Sequence, residues 1–345
     1  MLRTRLQGTA DATLIRIDHA VSERKNILVV DWMLGNSCNY ECHYCPPSLH
    51  NGSLGWVDSQ KIMKFAERLV ALCKARLISV YFQFSGGEVT LIPNFLNMLG
   101  QLRELGCQSA ILSNGSRSLN WWSDAVKVLD QVVLTFHPET ANLHHFTAVA
   151  NLSGARIRTH LNVAAPPDFF EVAHTAAKHL AANCQDVTIL LKPMLVDFGE
   201  RLYPYTPEQM NILKTEKFMA RFSRAVVSTR GEMLATLADG TTRAMQANQF
   251  LAERLNQWCG WECNIGLESL SIAQSGAIYR GACREGGAVG HIDKYLEFAL
   301  PEAPIICEKN ACACLLDVMT SRRNRRFVHG SFIREQELGR PTKQG

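Results

Sequence analysis

The feature that most constrains the fold is a regular alternation through the first 190 or so residues. Six apolar, β-rich runs occur at 26–34 (NILVVDWML), 77–84 (LISVYFQF), 109–113 (SAILS), 131–136 (QVVLTF), 156–163 (RIRTHLNV) and 187–191 (VTILL). Between them lie five stretches with helical spacing of apolar residues, at 59–75, 92–106, 119–129, 143–152 and 168–183. Strands separated by helices join in parallel, because each helix must cross back over the sheet. Six such units with short loops predict an α/β fold, an open partial (β/α)6 barrel over 27–193. In barrels of this kind the chemistry gathers at the C-terminal ends of the strands.

Polar motifs sit at those ends. The first strand leads into CNYECHYC, Cys38 to Cys45; the second into SGGE, Ser85 to Glu88; the third into SNGS, Ser113 to Ser116. The fourth gives FHPE with His137, the fifth NVAAPPD with Asn162, and the sixth LKP with Lys192. Any one of these is ordinary: GGE and SNGS are common turns, and a lone histidine is usually a satisfied polar group. Their succession after consecutive strands would bring them to one rim.

The chain has 12 cysteines among 345 residues, no stretch suited to a signal peptide, and no apolar run approaching a membrane span. A cytoplasmic location and reduced thiols are therefore expected, with metal or redox use for cysteines that cluster. The charge of +4 is too mild to imply nucleic acid by itself. Cys73, Cys107 and Cys184 stand alone and read as small core residues; Cys73 shares a helix face with Ile62, Phe65, Ala66 and Leu69. Cys38, Cys42 and Cys45 form a tight triplet. A cubane iron–sulfur cluster normally takes four thiolates. Three from one loop would leave one iron open to a small molecule. A structural zinc would need a fourth protein ligand, and His43, adjacent to Cys42, is awkwardly placed to share a metal.

CxxxCxxC with an aromatic residue, Tyr44, before the third cysteine, and GGE one β/α unit later, resembles the radical S-adenosylmethionine (SAM) superfamily over roughly residues 27–193. The resemblance implies that Cys38, Cys42 and Cys45 hold a [4Fe–4S] cluster whose open iron binds SAM. It implies that the backbone at Gly86 and Gly87 docks the methionine amino group, that Glu88 orients that loop, and that Ser113, Asn114 and His137 reach the ribose. Flavodoxin or ferredoxin would supply electrons.

A second cysteine group follows: Cys259, Cys263, Cys283, Cys307, Cys312 and Cys314. Cys263 and Cys283 flank two short β-rich runs joined by QSG, a hairpin signal. The pattern resembles the twitch-type extension that follows many radical SAM barrels, which implies one auxiliary [4Fe–4S] cluster. Cys263 and Cys283 would be ligands, with two of Cys307, Cys312 and Cys314, and Cys259 a bystander. On ligand types alone a structural zinc site is the alternative.

The expected organisation is an N-terminal extension (1–26), the barrel (27–193), a bridging helical segment (194–258), a small cysteine-rich hairpin domain (259–320) and a basic tail (321–345). TPEQ, Thr206 to Gln209, predicts a capped helix start. The run SRRNRRF from Ser321 reads first as a solvated tail and second as a phosphate contact. Three functions remain: a nucleobase-modifying enzyme, best guessed as an isomerase moving an amino-acid group on thymidine from an N- to a C-linkage; a peptide- or sugar-modifying enzyme; or a non-enzymatic iron–sulfur or zinc protein. Only 37 residues precede Cys38, which leaves little room for a peptide-leader domain.

Overall fold

The structure, a computed structural model, describes residues 13–196, 201–223, 231–312 and 314–327. Six parallel strands run in sequence order: β1 (Ile27–Met33), β2 (Ser79–Ser85), β3 (Gln108–Ser113), β4 (Gln131–Phe136), β5 (Arg158–Ala165) and β6 (Val187–Pro193). Between them pack α1 (Ser59–Lys74), α2 (Phe95–Glu104), α3 (Leu119–Val128), α4 (Leu143–Gly154) and α5 (Phe170–Asn183). The β/α alternation read from the sequence is thus observed unit for unit.

The reasons are local. Asp58 caps α1 by accepting from the Gln60 and Lys61 N–H groups at 2.8 and 3.1 Å, and Ser118 and Asn142 cap α3 and α4. On α1 the buried positions are Ile62, Phe65, Ala66, Leu69 and Cys73, one stripe of a 3.6-residue period. The stripe meets Leu28, Val30 and Trp32 of β1 and Phe82 and Phe84 of β2 in one apolar core. The other face of these strands carries Asp31 and Gln83, which hydrogen bond at 3.1 Å. One strand face is therefore apolar and helix-covered, and the opposite face is polar. The sheet curls: Cys42 and Tyr44, after β1, pack with Ala164 of β5 and Met194 just past β6. Cys73, Cys107 and Cys184 are all buried core thiols, as expected.

Three expectations change. The hairpin Ser269–Ile272/Ala277–Tyr279 forms around QSG, but it does not belong to a separate small domain. Ser269–Ile272 pairs in parallel with β1 (Leu270 opposite Val30), and the hairpin plus strand Ala288–His291 extends the main sheet to nine strands. Leu270, Ile272 and Ile278 are buried in the same core as β1, so the hairpin covers an edge that would otherwise be open. Second, segment 194–258 contains the expected helix Pro207–Thr215, with the Thr206–Gln209 capping box, but also the antiparallel pair Met233–Leu237/Thr242–Met245. Asp239–Gly240 makes its turn, with Gly240 at φ +85°.

The third change concerns the basic run. Strand Leu14–His19 pairs with Met233–Leu237 on one side and Arg322–Arg323 on the other, in a second, six-stranded sheet that also holds Glu262–Cys263 and Ile305–Ile306. Ser321–Phe327 is therefore not a solvated tail, and Arg322 is only 4% exposed. A side chain buried in a sheet cannot contact phosphate, so the phosphate reading is withdrawn for Arg322. Arg323, Arg325 and Arg326 are exposed, and residues 328–345 lie outside the described residues. Among the described residues no helix is long and apolar enough to cross a membrane.

Candidate functional site

The three-cysteine loop is held from both sides. On its N-terminal side Gly35–Ser37 pairs with Asn51–Trp56. Asn36, fully buried, fastens this hairpin: its Nδ2 donates to the Ser48 carbonyl and Asn51 Oδ1, both at 2.8 Å, and its Oδ1 accepts from the Leu54 N–H at 2.9 Å. Asn36 carries no signal in the sequence, because its partners lie 12 to 18 residues away.

The GGE turn clamps the same segment. Gly86 and Gly87 have φ of +109° and +50°, and a Cβ on either would collide with the carbonyl oxygen of Gly35 or Ser37. The Glu88 N–H donates to the Ser37 carbonyl at 2.8 Å. In this structure the close approach that demands glycine is thus to the strand entering the cysteine loop. Glu88 then ties β2 to β3. Its buried carboxylate accepts from the Thr90 and Ser113 hydroxyls at 2.6 and 2.8 Å, and from the Asn114 N–H at 2.6 Å. Burial pushes its pKa up, against the pull of those bonds.

Asn114 reaches the loop directly. Its Nδ2 donates to Asn39 Oδ1 at 2.9 Å and lies 3.9 Å from Cys38 Sγ. Ser113 does not: its hydroxyl donates to Glu88 and accepts from the Gly115 N–H at 3.1 Å. Ser113 supports the rim from behind. His137 stacks on Tyr44 at an interplanar angle of 9°, with Nδ1 2.6 Å from the Tyr44 hydroxyl and 3.5 Å from Cys42 Sγ. Burial and the Lys192 charge bring the His137 pKa to about 4, so the ring is neutral at pH 7. Burial also raises Tyr44, keeping it a phenol. His43 is engaged elsewhere, 2.6 Å from Glu139 Oε1. Glu139 was missed in the sequence, although it directly follows the FHP of the strand-four motif. Asn162 bonds His160 at 3.2 Å within β5.

The thiols themselves resist ionising alone. Burial raises all three, and Cys45 reaches about 11 with Cys42 and Cys38 adding to the effect. Glu88 and Glu139 push Cys38 and Cys42 the same way. Three neighbouring thiolates would need a strongly positive group among them. Among the described residues no three His, Cys, Asp or Glu groups converge as a single metal ion requires. A multi-iron cluster places each thiolate on a different iron, and an all-thiolate donor set suits it. Three thiols on one loop fit such a cluster, each on its own iron.

The second cysteine group is also brought together. Cys263 lies across from Ile305 and Arg322 in the second sheet. The Cys307 N–H donates to the Trp261 carbonyl at 2.9 Å, and Cys312 exchanges two bonds with Asn256 at 2.9 and 2.8 Å. Asp317 accepts from the Cys283 and Ala282 N–H groups at 2.7 and 3.1 Å. Burial raises the thiols, Cys283 and Cys312 to about 12 and Cys314 to about 11. Each thiol feels another: Cys263 feels Cys307, Cys283 feels Cys312, and Cys312 feels Cys314. Cys259, expected to stand apart, feeds the same field through Cys307. Asp317 was missed in the sequence, and Arg322 was read only as part of the basic run.

No family model matches this chain, and no curated protein matches it. Solved structures similar to it include the following three. BtrN in complex with AdoMet and 2-DOIA is 12% identical, with 78% of this chain and 80% of that one covered, at a TM-score of 0.41. Native anSMEcpe with bound AdoMet is 15% identical, with 78% and 80% covered, at 0.46. Streptococcus suis SuiB bound to S-adenosylmethionine is 13% identical, with 79% and 66% covered, at 0.43.

Proposed function

We propose that this chain is a radical SAM enzyme. The observation that carries the reading is the cysteine loop after β1, gripped by the GGE turn after β2 and joined through Glu88 to the Asn114 turn after β3. Such a loop presents three thiolates from a rigid frame and leaves a fourth position open. A [4Fe–4S] cluster held there would supply reducing power for cleavage of SAM and so for radical hydrogen abstraction from a substrate. Cys38, Cys42 and Cys45 hold the cluster, and Glu88 keeps the two adjoining rims in register. Asn114 orients Cys38 and Asn39. Tyr44 and a neutral His137 line the Cys42 side without adding charge.

The second cysteine group is read as a twitch-type auxiliary [4Fe–4S] site, with Cys263 and Cys283 as ligands and two of Cys307, Cys312 and Cys314 completing it. The substrate is read as a polar small molecule or nucleobase. Such a substrate class would be met at the C-terminal rim of the strands, beside the cysteine loop. Within that class, the proposed reaction is the isomerisation of an amino-acid-decorated thymidine from an N- to a C-linkage. Flavodoxin or ferredoxin is the proposed electron donor.

The test is anaerobic reconstitution of the full chain followed by SAM and dithionite. Formation of 5′-deoxyadenosine is the expected result; a colourless protein that binds zinc and leaves SAM intact would falsify the reading. A mass-neutral product from the decorated thymidine would support the isomerase reading, and its absence beside active SAM cleavage would reject that part alone.

A further inference from the structure

Arg322 stands in a basic run, yet its side chain is built into the second cysteine site. Strand Arg322–Arg323 pairs with Glu262–Cys263 so that Arg322 lies directly across from Cys263. The guanidinium carbon sits 3.6 Å from the centroid of the Trp258 ring. Its Nε donates to the Thr320 carbonyl at 3.0 Å, and a second nitrogen donates to the Asp317 carbonyl. Trp258 and Asp317 are themselves tied to the cysteines: Asn256, two residues before Trp258, bonds the Cys312 backbone, and the Asp317 carboxylate holds the Cys283 N–H.

A guanidinium this deeply buried is costly unless negative charge faces it. Among the described residues Arg322 forms no salt bridge with a carboxylate, and its direct partners are two neutral carbonyls, an indole ring and the Cys312 thiol. The groups it faces are the Cys263, Cys307 and Cys312 thiols, which burial keeps protonated on their own and which would turn anionic only as ligands of a metal group, with Asp317 nearby. Four thiolates around an oxidised [4Fe–4S]2+ core leave a net charge of −2, and reduction by one electron makes it −3. A fixed cation at the site stabilises the reduced form more than the oxidised one.

We propose that Arg322 is a positioning residue for an iron–sulfur group at the second cysteine site, where its charge raises that group's reduction potential. The proposal rests on the reading that this site holds a cluster. The alternative is that Arg322 serves only the fold, closing the short helix Leu315–Val318 through the Asp317 and Thr320 carbonyls.

The experiment uses the full chain with Cys38, Cys42 and Cys45 all replaced by alanine, so that only the second site can hold iron. Iron and sulfide are measured after anaerobic reconstitution, and the midpoint potential is followed by electron paramagnetic resonance during dithionite titration. Arg322, Arg322→Lys and Arg322→Gln are compared. The expected order of midpoints is Arg322 highest, Lys close below and Gln lowest, at equal iron content. Equal midpoints in all three overturn the proposal. If Gln loses iron and Lys keeps it, the requirement for charge is upheld. If both lose iron while the circular dichroism is unchanged, Arg322 is a structural residue and the proposal fails. Absence of iron and sulfide in the Arg322 parent would instead reject the underlying cluster reading, and the proposal with it.

Discussion

The two cysteine regions prepare for negative charge in opposite ways. Around Cys38, Cys42 and Cys45 the groups that act on the thiols are neutral or anionic, namely Asn114, Tyr44, Glu88 and Glu139, and the nearby Lys192 charge acts on His137. Around the second group the chain supplies its own buried cation in Arg322. The first site leaves charge to be balanced by what binds there, and both groups mix buried and half-buried thiols. The second is balanced from within the fold. The contrast supports the proposed division, with exchangeable chemistry at the first loop and a resident role for the second group.

The largest expected effect tests that division. Replacing Cys38, Cys42 and Cys45 together by alanine removes one of two clusters. About half the iron should go, and SAM cleavage should fall below detection. Iron that remains should not support SAM binding, because its four thiolates leave no open position. Undiminished 5′-deoxyadenosine formation in this variant would erase the distinction between the sites.

Next in size is Gly87→Ala. Its φ of +50° disfavours any side chain, by about 1–3 kcal/mol, and the new Cβ meets the Ser37 carbonyl head on. The cysteine loop must shift to make room. The expected outcome is a loss of SAM cleavage of at least tenfold, with the second site's iron retained. Equal loss of iron from both sites would show that the two regions are not independent.

Glu88→Gln follows. One carboxylate oxygen now accepts from Thr90 and Ser113 and the other from the Asn114 N–H. A carboxamide has a single acceptor oxygen, so one side is left unsatisfied, at a cost of about 1–3 kcal/mol. The expected readout is a lower melting temperature and a partial loss of SAM cleavage, smaller than that of Gly87→Ala.

Legibility in the sequence tracked the range of the interactions involved. The β/α order was readable because a period of 3.6 or 2 residues is a local property, as in the Ile62 to Cys73 stripe of α1. The triplet, GGE and the Asn114 turn were readable because each is a short motif at a strand end. What could not be read depends on distant partners. Asn36 has meaning only through Ser48, Asn51 and Leu54. Strand Leu14–His19 pairs with segments more than 200 residues away. Arg322 was misread because its sequence neighbours are basic and exposed, whereas its own side chain is fixed by a strand pairing with Cys263 and by Trp258. The role given to Gly86 and Gly87 was refined for the same reason: a close approach was foreseeable, and its target was not.

The smallest expected effect lies where the two regions join. Glu268 links them: its carbonyl accepts from the Val29 N–H of β1 at 3.0 Å, and its carboxylate accepts from the Ser321 N–H at 2.8 Å, beside Arg322. His19 Nε2 lies 3.0 Å from the same carboxylate oxygen, and Asn264 donates to the other at 2.8 Å. Burial pushes the Glu268 pKa up, but the bonds from His19, Ser321 and Asn264 outweigh it and hold the group below its ordinary value. A carboxyl lowered in the folded state is protonated more readily when unfolded. Its contribution to stability is therefore complete above the ordinary carboxylate range and is lost as pH falls through the folded value. Glu268→Gln removes that titration. Its melting temperature should lie below wild type at neutral pH, fall less steeply from about pH 5 downward, and approach wild type at the acid end. Parallel curves would mean that Glu268 joins the regions by shape alone. A loss confined to the second site's iron, with SAM cleavage intact, would show that the joint serves only one of them.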